Sequence, residues 1–136
     1  MTERIDIETS GPGLYEFTPL VAGLAEGDGM MHLFVRHTSC SILIQENADP
    51  SVQRDLQGFF QRLAPAADDP SMAWVTHRFE GPDDMPAHIK AAVLPVSLSI
   101  PIISGALGLG TWQGINLFEH RARPHSRQVL AQLSKT

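Results

Sequence analysis

The chain has one cysteine, Cys40, among its 136 residues. A single thiol cannot form a disulfide within the chain, and it excludes the cysteine-rich types of zinc site. No apolar run approaches the roughly 20 residues that cross a bilayer, because Pro101, Gly105 and Gly108 interrupt the most apolar stretch. The N-terminus carries charges where a secretory signal would be apolar. We therefore expect a cytoplasmic protein without a membrane span.

Positive charge is also scarce. Ten Lys and Arg against 15 Asp and Glu give a formal net charge of −5, so we expect no nucleic-acid partner. With 43% hydrophobic residues the chain can form one ordinary core, and no repeat or linker divides it. These features predict one domain over residues 1–136.

Short apolar segments separated by Gly, Pro and Ser predict seven or eight strands. These strands are predicted at residues 4–8, 30–36, 41–45, 72–77, 97–103, 107–111, 114–118 and 127–133. Three helices are predicted at residues 18–25, 50–63 and 85–94, with Thr18, Asp49 and Asp84 as their caps. The absence of a strict βαβ order favours the α+β class, with one compact domain and a mixed, mostly antiparallel, half-barrel-like sheet.

The first polar segment, His37-Thr38-Ser39-Cys40-Ser41, lies between two predicted strands. His37 is a candidate base or metal ligand, and Thr38 and Ser39 are candidate donors to an anion. The alternative is that these side chains only satisfy local backbone groups. Cys40 is interpreted as a small core residue, because nothing near it in sequence would lower its pKa.

The second segment, Asp83-Asp84-Met85-Pro86-Ala87-His88-Ile89-Lys90, opens the third helix. Asp83 or Asp84 with His88 would hold a metal ion that engages a phosphate, and Lys90 would add a positive charge. Equally well, one aspartate caps the helix and His88 forms a hydrogen bond in the core. No histidine pair has the spacing of a HExxH site, so any metal site must combine distant segments.

Two further groups are candidates for ligand contacts. Glu46 and Asn47 precede the second helix and would contact a ligand or a neighbouring subunit. In the glycine-rich segment 108–114, Thr111, Trp112 and Gln113 would approach a ligand closely. After the next strand, alternation predicts Glu119 and Arg121 on one face and His120 on the other.

Four blocks of sequence occur in the order HTSCSILIQENADPSVQRDL, EGPDDMPAHIK, SLSIPI and GTWQGINLFEHR. In this order they resemble the YjbQ-like family, also called the secondary thiamine-phosphate synthase family. The resemblance extends from about His32 to Arg127. The residues that match the family motifs are His37, Thr38, Ser39, Glu46, Asn47, Asp49, His77, Asp84, His88, Lys90, Thr111, Trp112, Gln113, Glu119, His120 and Arg121.

The resemblance implies a compact α+β fold and a homotrimer. It also implies a transferase that joins a phosphorylated pyrimidine to a thiazole phosphate and releases pyrophosphate, although the main physiological role stays open. We assign catalysis to His37, His88, Lys90 and Glu119, and a divalent cation, Mg or Zn, to His37, Asp84 and His88. The residues assigned to a phosphorylated small molecule are Thr38, Ser39, Glu46, Asn47, Thr111, Trp112, Gln113 and Arg121. No organic cofactor is expected.

Arg78 departs from the family pattern, which commonly has an acidic residue there. A positive charge beside His77 argues against His77 as a metal ligand, so we rank it below His37 and His88. Two alternative functions remain open. One is a metal-dependent hydrolase of small phosphates or amides, and the other is a non-catalytic trimeric protein that binds an anionic metabolite.

Overall fold

The computed structural model describes residues 2–136, which contain eight strands in two antiparallel sheets. The strands are β1 (Thr2–Thr9), β2 (Gly13–Glu16), β3 (Gly29–Val35), β4 (Cys40–Glu46), β5 (Ser97–Ile103), β6 (Ala106–Leu107), β7 (Gln113–Glu119) and β8 (His125–Lys135). The α-helices are α1 (Thr18–Ala22), α2 (Pro50–Leu63) and α3 (Asp84–Val93), and a single 3₁₀ turn spans Pro70–Met72. The predicted α+β class, antiparallel sheet and three helices are confirmed.

The two sheets enclose the main core. The five-stranded sheet has the order β1-β8-β3-β5-β6, and the three-stranded sheet has the order β2-β7-β4. The central strand β7 is buried on both faces: Ile115 and Leu117 join the main core, while the Phe118 ring packs edge-on against Phe60 of α2 at 5.7 Å. Because of this double burial, residues 114–119 of β7 are all buried, including the polar Asn116 and Glu119.

Helix α2 begins as its sequence predicts. Asp49 takes an extended conformation, and its Oδ1 accepts a hydrogen bond from the Ser51 backbone N–H at 2.9 Å. Pro50 occupies the first turn, where its missing N–H costs nothing.

The caps predicted for the other two helices are wrong. Phe17 precedes α1, and Thr18 Oγ1 instead accepts from the Ile115 backbone N–H at 2.8 Å. Asp83 occupies the N-cap position of α3 without a capping hydrogen bond, and Asp84 is the first helical residue. Both side chains make tertiary contacts in place of local ones.

Two predicted strands also differ from the structure. Residues 72–77 form the end of the 3₁₀ turn and an irregular segment, because Met72 and Val75 pack with Ala67 in a small separate core. The strand predicted at 107–111 shrinks to β6, which pairs with Ile102 and Ile103. Strand β2, at 13–16, was not predicted. Within residues 2–136, no helix is long and apolar enough to cross a bilayer.

Candidate functional site

Helix α3 brings Asp84 and His88 together, because residues four apart lie on one face of a helix. The irregular segment before α3 adds His77. The Asp84 Oδ2 atom lies 2.6 Å from His77 Nε2 and 3.2 Å from His88 Nε2. One ligand atom from each residue lies within 4.8 Å of the other two, and no second group of this kind occurs in the described chain. We call these three residues the histidine cluster.

The position of His77 depends on its neighbour Arg78. The Arg78 guanidinium donates to the carbonyls of Ala67, Met72 and Val75 at 2.9 to 3.0 Å, and so closes this segment on itself. Arg78 therefore turns away from the carboxylate that His77 contacts. The low rank given to His77 assumed that adjacent residues share one electrostatic environment, whereas the structure places His77 against Asp84 and Arg78 against backbone carbonyls.

The second nitrogen of His88 decides its tautomer. His88 Nδ1 lies 3.0 Å from the Thr38 carbonyl oxygen, which can only accept, so Nδ1 carries a proton. In a neutral ring Nε2 then presents a lone pair, and this lone pair faces the Asp84 carboxylate. Two acceptors face each other stably only with a cation between them, either a second proton on His88 or a metal ion. A carbonyl bonded to the far nitrogen of a histidine is also the usual support of a metal ligand.

Asp84 is oriented and kept ionised by its surroundings. Its side chain is 6% exposed, and its Oδ1 accepts from Arg121 Nη1 at 2.8 Å. Burial alone would raise the pKa of Asp84, but the hydrogen bond with His77 and the charge of Arg121 outweigh this and lower the pKa. The carboxylate is therefore held ready to bind a cation.

A groove of about 800 Å³ opens beside the cluster and shares His88 with it. Its walls include Phe34, Val96 and the 91–92 segment of α3. This volume lies in the range of small-molecule sites. The groove therefore places a small ligand next to the histidine cluster.

His37 also lines this groove. Its Nε2 accepts from the Gln128 backbone N–H at 2.8 Å, so the proton of the neutral ring resides on Nδ1. Burial and then the charge of Arg127 lower the pKa of His37, which keeps the ring neutral. Among residues 2–136, Nδ1 has no hydrogen-bond partner, so this N–H is what the ring offers to a ligand.

The model of the family described as UPF0047 protein YjbQ-like matches residues 3–136. This chain belongs to the YjbQ-like family. It is 46% identical over 136 residues to a UPF0047 protein of Synechocystis, covering 97% of this chain and 90% of that protein. It is 44% identical over 119 residues to the YjbQ protein of Salmonella typhimurium, covering 87% and 83%.

Solved structures of the YjbQ-like family show the same fold. A conserved hypothetical protein from Thermus thermophilus superposes with a TM-score of 0.85 at 33% identity, covering 97% of this chain and 99% of that one. A YjbQ/UPF0047 family protein from Clostridium acetobutylicum gives a TM-score of 0.85 at 34% identity with the same coverage. These comparisons establish the family and the fold of the chain.

Glu119, a family motif residue predicted to be catalytic, lies inside the protein. It is 0% exposed, and both of its oxygens are hydrogen-bonded: Oε1 accepts from Thr9 Oγ1 at 2.6 Å and from Arg127 Nε at 2.7 Å, and Oε2 accepts from backbone N–H groups. Burial alone would raise the pKa of Glu119, but the hydrogen bonds from Arg127 and Thr9 lower it. This placement does not fit contact with a substrate; it joins β7 to β8 and β1.

Arg121, predicted to contact a phosphorylated molecule, and Lys90, predicted to be catalytic, lie in different surroundings. The Arg121 side chain is 9% exposed and is held by Asp83 Oδ2 at 2.9 Å and Asp84 Oδ1 at 2.8 Å. Lys90 projects from the opposite face of α3, into a second pocket. Burial lowers the pKa of Lys90, and the charge of Asp83 opposes this effect. Because β7 ends at Glu119, strand alternation does not extend to Arg121.

The predicted ligand-contacting residues separate into two groups. Thr38 and Ser39 line the groove beside His37, although Ser39 is buried and its Oγ accepts from Arg127 Nη2 at 3.0 Å. The others lie at the far end of β4 and β7, where Glu46 pairs with Gln113 while Cys40 pairs with Glu119 at the near end. Six residue steps separate the ends by roughly 20 Å. This distant group comprises Glu46, Asn47, Thr111, Trp112 and Gln113.

At that far end, Asn47 donates its backbone N–H to the Trp112 carbonyl at 3.0 Å, and Gln113 Oε1 accepts from the Gly110 N–H at 2.7 Å. Trp112 is 62% exposed. Glu46 Oε2 is enclosed without a hydrogen-bond partner among the described residues. These residues cannot reach a ligand in the groove of the same chain.

The sequence predicted two of the three members of the histidine cluster. Asp84 and His88 have the spacing that places two ligands on one helical face, and both were predicted. His37 was predicted as their partner, but its Nε2 is occupied by Gln128, and His77 takes that place. No local signal predicted His77, because its position depends on the folding of segment 67–78 around Arg78.

Proposed function

We propose that this protein is a metal-dependent hydrolase of small phosphates or amides, with a divalent cation bound by His77, Asp84 and His88. The observation that carries the proposal is the His88 ring, whose Nδ1 is fixed by the Thr38 carbonyl while its Nε2 lone pair faces Asp84 Oδ2. A cation bound to His88 Nε2 and Asp84 Oδ2 would remove the repulsion between these two acceptor atoms.

The donor set favours zinc over magnesium. Two imidazoles and one carboxylate, with a coordination position left for water or substrate, form a common catalytic zinc site, whereas magnesium prefers oxygen ligands. Zinc bonds of about 2 Å hold neighbouring ligand atoms roughly 3.3 Å apart. The 3.2 Å contact of His88 already matches that distance, and His77, with a side chain 45% exposed, has room to move outward from 2.6 Å.

The bound ion would supply Lewis acidity and activate water at neutral pH. Around it, Arg121 holds Asp84 in place through Oδ1, and Thr38 fixes the ring of His88. The neutral His37 ring, which lines the same groove, would donate its Nδ1–H to the oxygen on which negative charge develops. The apolar groove walls would hold the rest of the substrate.

The test is hydrolysis of a panel of phosphate esters and amides by protein stripped with a chelator and reloaded with zinc, manganese or magnesium. We expect activity to return with zinc or manganese and to fall at least about 100-fold in His88→Ala. His32→Gln is the matched control, since His32 is exposed and bonds Ser99 away from the groove. Equal rates in His88→Ala and wild type would refute the assignment.

The synthase reaction is our second proposal. Arg36 supports it, because this exposed cation lines the groove and is free of carboxylate partners within residues 2–136. The measurement is thiamine phosphate formed from the two phosphorylated precursors with magnesium, compared between wild type, Arg36→Met and His88→Ala. Ligand-induced thermal stabilisation without turnover in either assay would instead identify a binding protein.

A further inference from the structure

A second pocket, of about 350 Å³, lies on the other face of α3. Pro86 and Lys90 line it from the helix, and they project roughly 200° away from the direction of His88. A water molecule fills about 30 Å³, so the pocket has room for a ligand of roughly ten non-hydrogen atoms. Ala64, Pro65 and Ala66 form an apolar wall after α2.

His120 supplies a buried polar group to this pocket. The residue is 3% exposed, its Nε2 lies 2.9 Å from Ser41 Oγ, and its ring packs against Phe118 at 4.7 Å. Its other nitrogen, Nδ1, has no hydrogen-bond partner among residues 2–136. The side-chain atoms that are both fully enclosed and without a partner are Glu46 Oε2 and Asn116 Oδ1. His120 Nδ1 is not among them, so it is accessible. Nδ1 therefore opens onto the pocket that His120 lines.

The His120 ring is neutral at physiological pH. Burial and then the charge of Lys90 lower its pKa to about 3. When the Ser41 hydroxyl donates to Nε2, the ring proton resides on Nδ1 and points to the pocket. The ring then offers one N–H to a ligand.

Lys90 is the one cationic side chain among the described residues that line this pocket. Asp83 also lines it, but Asp83 Oδ2 already accepts from Arg121 Nε at 2.9 Å and from the Ala122 N–H at 2.8 Å. Lys90, by contrast, has no ion-pair partner within 4.0 Å in the described part of the chain. An ammonium and an imidazole N–H among proline and alanine side chains suit an oxyanion on a small apolar body.

We propose that this pocket is a second ligand site, in which Lys90 and His120 Nδ1 bind the oxyanion of a small carboxylate or phosphate. The site is separate from the histidine cluster and does not rest on metal binding there. In this site Lys90 would bind the anion on the face of α3 opposite His88.

The experiment is an NMR titration of the full-length protein, which follows the His120 ring nitrogens while inorganic phosphate or propionate is added at constant ionic strength. Saturable movement with phosphate identifies a phosphate site, and saturable movement with propionate alone identifies a carboxylate site. Either result supports the proposal. No saturable movement with either anion overturns it.

Variants then test the two groups. Lys90→Met keeps the aliphatic stem and removes the charge, and we expect affinity to fall about tenfold or more, as for loss of a charged hydrogen bond. His120→Gln keeps an amide near Ser41 and removes Nδ1, so it should also weaken binding. His120→Asn places an amide near the Nδ1 position and should bind more tightly than His120→Gln.

Arg123→Met is the matched control. Arg123 is exposed in the loop between β7 and β8, which also contains His120, and it does not line the pocket. This variant should bind the anion as the wild type does. Unchanged affinity in Lys90→Met overturns the proposal even if the His120 variants do not fold, since Lys90 is only half-buried and its methionine variant keeps the aliphatic stem. An equal loss in Arg123→Met would indicate a general charge effect and also overturn it.

Discussion

Glu119 matches a family motif, and its side chain is buried in an ion pair with Arg127. Both side chains are nearly inaccessible, and Arg127 donates through Nε and Nη2 to the two Glu119 oxygens. Removal of one partner leaves a buried charge, which typically costs 3–5 kcal/mol.

We therefore expect Glu119→Gln to lower the free energy of unfolding by about 3–5 kcal/mol, measured by urea denaturation. The double variant Glu119→Gln, Arg127→Met should recover part of this loss, because it removes the unpaired charge. Glu3→Gln on the exposed surface of β1 is the control. A fully stable Glu119→Gln protein that lacks activity would instead restore the catalytic role predicted for Glu119.

His120 predicts a pH dependence of stability. Its folded pKa of about 3 lies below the ordinary value of 6.5, so below pH 6.5 the unfolded chain binds a proton that the folded protein does not. Stability is therefore lost as the pH falls from 6.5 towards 3. His120→Gln should lose stability less steeply, by about 1.4 kcal/mol per pH unit between roughly pH 6 and pH 4. Urea unfolding at each pH measures this, and parallel slopes for both proteins would contradict it.

At the scale of elements, the sequence predicts best what is decided locally. Helix α2 has its cap at Asp49, its proline at the first turn and an apolar stripe within one segment, and its predicted bounds are confirmed. Segment 72–77 has apolar residues at strand-like spacing, yet Met72 and Val75 pack in a small core under α3. The candidate site shows the same difference. The helical spacing of Asp84 and His88 predicts that they lie together, whereas no spacing in the sequence predicts the position of His77.

Arg78 offers a test at this scale, because its three bonds to backbone carbonyls hold the segment that carries His77. Arg78→Met should weaken zinc binding about tenfold without changing any ligand, since supports of this kind tune metal affinity. Calorimetric titration of the metal-free protein measures the effect. Arg62→Met, which removes an exposed cation from α2, is the control. Wild-type affinity in Arg78→Met would show that the segment holds its shape without this side chain.

At the scale of the whole molecule, the surface carries many large apolar side chains. They are Leu20, Phe34, Phe59, Leu63, Trp74, Phe79, Val93, Ile103 and Trp112. Contacts between copies would cover such residues, in keeping with the homotrimer that the family resemblance implies. If the predicted residues at the Glu46 end of β4 act at the groove, they must come from another copy of the chain.

The homotrimer remains a prediction. We expect light scattering after gel filtration to give a mass three times that of the 14.9 kDa chain. Phe34 is 50% exposed at the groove, and Phe34→Ser replaces its aromatic ring with a small polar side chain. If this ring packs against another copy, the variant should shift the protein towards smaller species. A wild-type protein that stays monomeric at high concentration would contradict the prediction.

The metal at the histidine cluster is the claim on which the proposed chemistry depends. The decisive measurement is the metal content of untagged protein, followed by zinc titration of the metal-free wild type, His77→Ala, His88→Ala and His32→Gln. We predict about one zinc per chain in the wild type and in His32→Gln, and a loss of at least about tenfold in affinity in each cluster variant. A wild type that neither retains nor binds a divalent metal, or a His77→Ala protein that binds zinc as tightly as the wild type, would contradict the account.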